Sequence, residues 1–155
     1  MKSLTESLLS PAHRDGMTTE AVSMVEQFIA SRGGLKGMAY KTGFAMLKKA
    51  RPGIIERAAH KMLPEFLASL EPLYREFQAG SGDDFAAFLR QHSGRAVRSL
   101  LGVADARAAT AADSTRRTYE KFRNGAEDEV TRLLPMFAEL IDRRLQAGED
   151  GSPVR

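Results

Sequence analysis

The stretch Gly33-Gly-Leu-Lys-Gly-Met-Ala-Tyr-Lys-Thr-Gly-Phe-Ala-Met-Leu-Lys-Lys-Ala-Arg-Pro-Gly53 decides the fold class. It holds glycines, a Lys-Thr pair and a cluster of positive charge. As a phosphate-binding loop it would announce an α/β protein; as a helix it leaves the chain all-α. A phosphate loop needs Gly, four residues, then Gly-Lys-Ser/Thr after a buried strand. Here Tyr40 precedes Lys41-Thr42, Gly43 follows the pair, and the upstream run Val25-Glu-Gln-Phe-Ile-Ala-Ser-Arg32 has helical spacing. No GxGxxG occurs either. The stretch therefore reads as a helix from about Leu35 to Ala50, stopped by Arg51-Pro52-Gly53.

At 100° per residue, Leu35, Ala39, Thr42 and Met46 fall on one side of this helix, and Tyr40, Phe44 and Leu47 on another. Lys41 and Lys48 share a narrow polar strip with Gly37. A helix apolar on most of its circumference is expected to be buried on several sides. The spacing thus predicts a central helix, with Gly43 a close-packing site beside Ala39 and Ala50.

Outside this segment the apolar spacing is helical nearly everywhere, and no alternating strand pattern appears. Ser3 and Glu6 form a capping box opening a short helix that Pro11 ends. Thr18 or Thr19 is expected to cap a second helix, which Gly33-Gly34 stops. Ile55, Ala59, Met62, Phe66, Leu70, Leu73 and Phe77 keep one helical phase through Pro64 and Pro72, which predicts one kinked, nearly continuous helix. Gly80–Asp84 turns and caps a helix bearing Phe85, Phe88 and Leu89, which Gly94 breaks. A further helix uses Val97, Leu100, Leu101, Ala104, Ala108 and Ala111. The last runs from about Thr115 to Ala147, with Tyr119, Phe122, Ala126, Val130, Leu133, Phe137, Leu140 and Leu145 inward. Leu63-Pro-Glu-Phe66 and Leu134-Pro-Met-Phe137 echo each other, a match expected to arise by chance in leucine-rich helices. The fold expected is all-α: one compact bundle of about six or seven helices over residues 1–147, the long ones kinked at proline, with 148–155 a disordered tail.

Composition narrows the function. A chain of 155 residues with 43% hydrophobic and 28% charged residues suits one globular domain. The absence of cysteine removes disulfides, thiolate nucleophiles and cysteine metal sites, and a cytoplasmic location is expected. The N-terminus lacks the apolar region of a signal peptide, and no run approaches the ~20 apolar residues of a membrane span. Between Glu26 and Glu56 there is no acidic residue, while Arg32, Lys36, Lys41, Lys48, Lys49 and Arg51 supply six positive charges. With a net charge of +3 overall, the rest of the chain carries −3. A basic segment on a mildly acidic protein attracts anions, so Lys36, Lys41, Lys48, Lys49 and Arg51 are candidate contacts to nucleic acid or anionic lipid.

Chemistry is sparse. His60 sits four residues after Glu56, but no HExxH or ExxH pair supports a metal site, and none is expected. No GxSxG frames a nucleophile, and no cofactor motif is present. Asp83-Asp84 and Glu127-Asp128-Glu129 fall where solvated acids belong, at a helix start or on a polar face. Thr115–Arg123 mixes basic residues with Tyr119 and Phe122, which amphipathicity explains.

Four stretches, Leu35–Gly53, Met62–Tyr74, Gly102–Ala108 and Thr118–Arg123, resemble an uncharacterised bacterial family of short all-helical proteins, in the same order from about Leu4 to Leu145. The resemblance implies helices and no activity, cofactor or catalytic residue. It singles out His92, Asp105, Arg107, Tyr119 and Lys121 for inspection. The expected function is therefore non-catalytic: binding of another protein or a second copy. The alternatives are an anionic partner on the basic segment, or a small enzyme with an apolar pocket between kinked helices near His60 or His92.

Overall fold

A computed structural model describes residues 2–149 of the chain. Among them are eight α-helices and no strand: α1 (Leu4–Leu9), α2 (Arg14–Ser31), α3 (Gly34–Ala50), α4 (Ile54–Ser69), α5 (Glu71–Ala79), α6 (Phe85–Gln91), α7 (Ser93–Ala109) and α8 (Asp113–Glu149). The protein is an all-α single domain. The expected tail lies outside the described residues from Asp150 onward, while Gly148 and Glu149 complete the last turn of α8.

The organising element is α8. Its 37 residues extend about 55 Å at 1.5 Å per residue, and α1, α2, α6 and α7 pack against it. Leu134, Phe137, Ala138 and Ile141 from α8 meet Leu4 and Leu8 of α1, Met17 of α2, Leu63 and Leu67 of α4, Phe85 and Leu89 of α6, and Ala96 and Leu101 of α7 in one buried core. Leu4, Met17, Leu67, Leu89 and Ile141 are wholly buried, each such side chain contributing about 1.5–3 kcal/mol relative to exposure. At one end Tyr74, Phe77, Phe85 and Phe88 form an aromatic cluster, with centroids 5.1 Å apart for Phe77–Phe85 and 5.2 Å for Tyr74–Phe85.

Several boundaries follow the expected chemistry. Ser3 Oγ accepts from the Glu6 N–H at 3.0 Å, and Asp84 Oδ1 accepts from the Ala87 N–H at 3.0 Å. Gly53, at φ 79°, turns the chain from α3 into α4 in a left-handed conformation that favours glycine.

Other boundaries correct the sequence reading. The expected cap at Thr18 or Thr19 is displaced, because α2 begins at Arg14. The Ser10 carbonyl accepts from the N–H groups of His13 and Arg14, so the turn at Pro11 feeds directly into the helix. Thr18 lies inside, its hydroxyl donating to the Arg14 carbonyl at 2.9 Å. The expected continuous helix through Pro72 is two helices: α4 contains Pro64, but Pro72 lies in the first turn of α5, where a missing N–H costs nothing. This split makes the number eight rather than six or seven. The break expected at Gly94 falls at His92, whose N–H donates to the Leu89 and Phe88 carbonyls, leaving Gly94 in the first turn of α7.

The largest correction concerns α3. It is not central. It packs on α2 and more lightly on α4, and Gly37 is its one buried residue. Gly43 is exposed, and a Cβ there meets nothing within 4 Å, so it is not a packing site. The close approach is at Gly37 instead, where a Cβ would lie 2.1 Å from the Arg32 carbonyl oxygen. Both sides of α3 are apolar, but the space beside α8 is already filled by α1, α2, α6 and α7. Only the Gly37-Tyr40-Phe44 side finds a neighbour. Phe122, expected inward on α8, is likewise 62% exposed.

Candidate functional site

Beside the core lies a cleft of about 320 Å³. Five helices build it. Ala21, Val22, Met24 and Val25 come from α2, and Phe44 from α3. Ile55, Ala58, Ala59, Met62, Leu63 and Phe66 come from α4, Leu100, Leu101 and Ala104 from α7, and Val130, Leu133 and Phe137 from α8. Every lining residue is apolar. Most remain partly exposed, among them Val25, Phe44, Ile55, Met62, Phe66 and Leu133, so the cleft opens to solvent. Alanine at 21, 58, 59 and 104 leaves the space that larger side chains would fill.

The stripe read along the fourth segment, Ile55-Ala59-Met62-Phe66, turns out to line this cleft, while the next face, Leu63-Leu67, serves the core, with Leu63 bordering both. The two Leu-Pro-x-Phe segments converge here too: Phe66 and Phe137 both line the cleft, and Leu63 and Leu134 are both buried. A shared Gln-Ala-Gly follows each segment, Gln78-Ala79-Gly80 closing α5 and Gln146-Ala147-Gly148 lying near the end of α8.

The basic segment is divided rather than assembled. Lys48 reaches across to α2 at the surface, its Nζ 3.1 Å from Glu26 Oε2 and 5.5 Å from the centroid of the Phe44 ring, with the side chain still half exposed. Arg32 bridges to Glu129 of α8 at 2.8 Å. Burial, followed by the nearby Glu129 carboxylate, raises the Tyr40 hydroxyl pKa above its ordinary value. Lys48–Glu26 holds α3 along α2, and Arg32–Glu129 ties the end of α2 to α8. Lys36, Lys41, Lys49 and Arg51 stay exposed.

The remaining candidates lie elsewhere. His60 is exposed on α4, its carbonyl accepting from Arg14 at 3.5 Å. The His92 ring lies 4.4 Å from the Phe88 ring at the aromatic end. Neither histidine lines the cleft. Lys121 is exposed on α8. Asp105 and Tyr119 do come together: the Tyr119 hydroxyl donates to Asp105 Oδ1 at 2.6 Å, and Arg123 Nε donates to the same oxygen at 2.8 Å. Arg123 and then Tyr119 hold the Asp105 carboxyl below its ordinary pKa, while burial and the carboxylate push the Tyr119 hydroxyl up to about 12. Arg107 pairs with Glu65, tying α7 to α4. These contacts clasp helices together, and none of the five residues lines the cleft. Among the described residues no three His, Asp or Glu side chains gather in a way that could hold a metal ion, and no helix is long and apolar enough to cross a membrane.

Sequence reasoning found Ile55, Ala59, Met62 and Phe66 of the cleft as one helical stripe, without locating the cleft itself. It missed Arg144, a buried charge on α8 at 3% exposure whose Nε donates to Glu20 Oε2 at 2.6 Å. Its position in the register of Phe137, Ile141 and Leu145 was the available signal.

No curated protein and no solved structure matches the chain. A family model does, over residues 4–145: the chain belongs to a family of unknown function, DUF6918.

Proposed function

We propose that the protein acts by binding, and that its ligand is a small apolar molecule or a single hydrocarbon chain seated in the cleft between α2, α4, α7 and α8. The observation that carries this reading is the lining itself, seventeen residues from five helices without one polar side chain. Water in such a space finds no partners, so an apolar occupant gains about 25 cal/mol for each Å² it removes from water. The volume is at the lower end of the ~300–1,000 Å³ common for ligand clefts, which suits a narrow chain rather than a large ring system. Any charged end of the ligand has to project through the mouth. Catalysis needs a titratable or nucleophilic group at the reacting centre, and the lining supplies none. We keep the bacterial cytoplasm expected from the sequence as the setting.

The test is titration with a fluorescent hydrocarbon probe, followed by displacement with a medium-chain fatty acid. Saturable one-to-one uptake is expected. Ala59→Phe and Ala104→Phe, each filling the cleft, should weaken it about tenfold or more while circular dichroism and melting temperature hold or rise. Uptake that does not saturate, or that both variants leave unchanged, overturns the reading.

A further inference from the structure

Five large apolar side chains stand exposed among the described residues, and four of them are on α3: Leu35 at 87%, Met46 at 66%, Met38 at 65%, and Leu47. They are not scattered. With Gly37, Tyr40 and Phe44 turned toward the bundle, helical geometry puts Leu35, Met46 and Ala39 on the opposite side, with Met38 and Ala45 adjoining. Lys49 rises within this outward face, and Lys36 and Lys41 flank it. Arg51 follows its C-terminal end. The chain has no acidic residue from 27 to 55. The face is an exposed stripe about 25 Å long, apolar except for Thr42 and Lys49 within it, and its only charges are positive.

Charge selects among possible occupants. A second copy packed on the same face would set Lys36, Lys41 and Lys49 against their own equivalents. A nucleic acid would take the lysines by their charge but leave Leu35, Met38 and Met46 in water. A bilayer containing anionic lipid takes both: the apolar side chains enter the headgroup–acyl boundary while lysines reach up to the phosphates on their flexible stems. We propose that the outer face of α3 is a docking surface for an anionic lipid membrane. Lys48–Glu26 serves it by pinning α3 to α2 with this face outward. The surface does not depend on the cleft being filled, and vesicle binding can succeed where ligand uptake fails.

The experiment is co-sedimentation of the full chain with vesicles of phosphatidylcholine, and of phosphatidylcholine mixed with phosphatidylglycerol, at low and high salt. Binding to the mixed vesicles alone, weakened by salt, is expected. Leu35→Asp with Met46→Asp should lower it about tenfold or more, and Lys36→Ala with Lys49→Ala should do so without adding any charge. All four positions are exposed, so the helical circular dichroism should persist. Absence of binding at low salt, or binding that neither pair alters, overturns the proposal. So does a dimer that Leu35→Asp dissolves, which makes a second copy the occupant, and so does binding to duplex DNA in preference to vesicles.

Discussion

The Tyr119 hydroxyl on α8 donates to Asp105 Oδ1 on α7 at 2.6 Å, and Arg123, one helical turn further along α8, donates to the same oxygen at 2.8 Å. One carboxylate thus clasps two side chains of the neighbouring helix. Tyr119 is held neutral up to about 12, against an ordinary 10.0. A folded-state pKa raised above the unfolded value gives stability that is complete below pH 10 and is lost as pH rises toward 12. Spectrophotometric titration should show one tyrosine ionising near pH 12, and Asp105→Asn should bring it down. Tyr119→Phe should flatten the alkaline loss of stability in that window. A Tyr119 that titrates at its ordinary value in the folded protein contradicts the contact.

At the acid side the sign reverses. Asp105 has its pKa lowered, so its contribution is present above its ordinary 3.8 and falls away as pH drops below that. The side chain is half exposed, so solvent screens the pair with Arg123 and its contribution to stability is expected to be small. Asp105→Asn should therefore leave the midpoint of acid unfolding nearly in place, as followed by circular dichroism.

Two glycines of α3 should respond oppositely to alanine. Gly37→Ala places a Cβ against the Arg32 carbonyl and should lower the melting temperature or detach α3. Gly43→Ala meets open space and should raise helix stability by up to about 1 kcal/mol. Urea unfolding of both variants checks this. Equal effects would place Gly43 in a packed interface.

Glu20 and Arg144 form a pair in which the arginine is buried and the glutamate only partly so, joined at 2.6 Å. The other two guanidinium nitrogens of Arg144 have no partner among the described residues, and one would lie 2.7 Å from a Cβ at Gly16. Glu20→Ala strands the buried charge and should cost about 3 kcal/mol. Glu20→Ala with Arg144→Met should recover much of that loss, because an unbranched apolar side chain replaces the charge. A double-mutant cycle in urea measures the coupling, and strict additivity would show the pair to be inert.

Truncation separates core from cleft. Leu67 of α4 is wholly buried in the core, and Leu67→Ala should cost about 2–5 kcal/mol. Met62→Ala enlarges an existing solvent-open space and should cost less than half as much, read from the same urea transitions. Equal costs would mean that the cleft is closed in solution.

How far the sequence reached can be judged element by element. Ser3 and Asp84 cap the helices they were expected to cap, since a side-chain oxygen next to free N–H groups acts over three residues of chain. Thr18 misled because the same hydroxyl can bond backward to a carbonyl inside a helix. Pro72 misled because an unbroken apolar phase runs equally well through a helix or across a break into the next one. The clasp of Asp105, Tyr119 and Arg123 was legible only as a group of residues to inspect, since no spacing rule joins positions on two helices.

The sequence by itself determined the all-α class, the helix-forming segments and the excess of positive charge between Glu26 and Glu56, because periodicity, capping and composition act locally along the chain. Only the tertiary structure decided that α3 lies at the edge, that Ile55, Ala59 and Met62 line a cleft that Phe66 shares with the core, and that Leu35, Met38 and Met46 face outward. The reason is that an apolar face specifies burial without naming a partner. Once α1, α2, α6 and α7 had covered α8, the remaining apolar surfaces had only each other or the outside to meet.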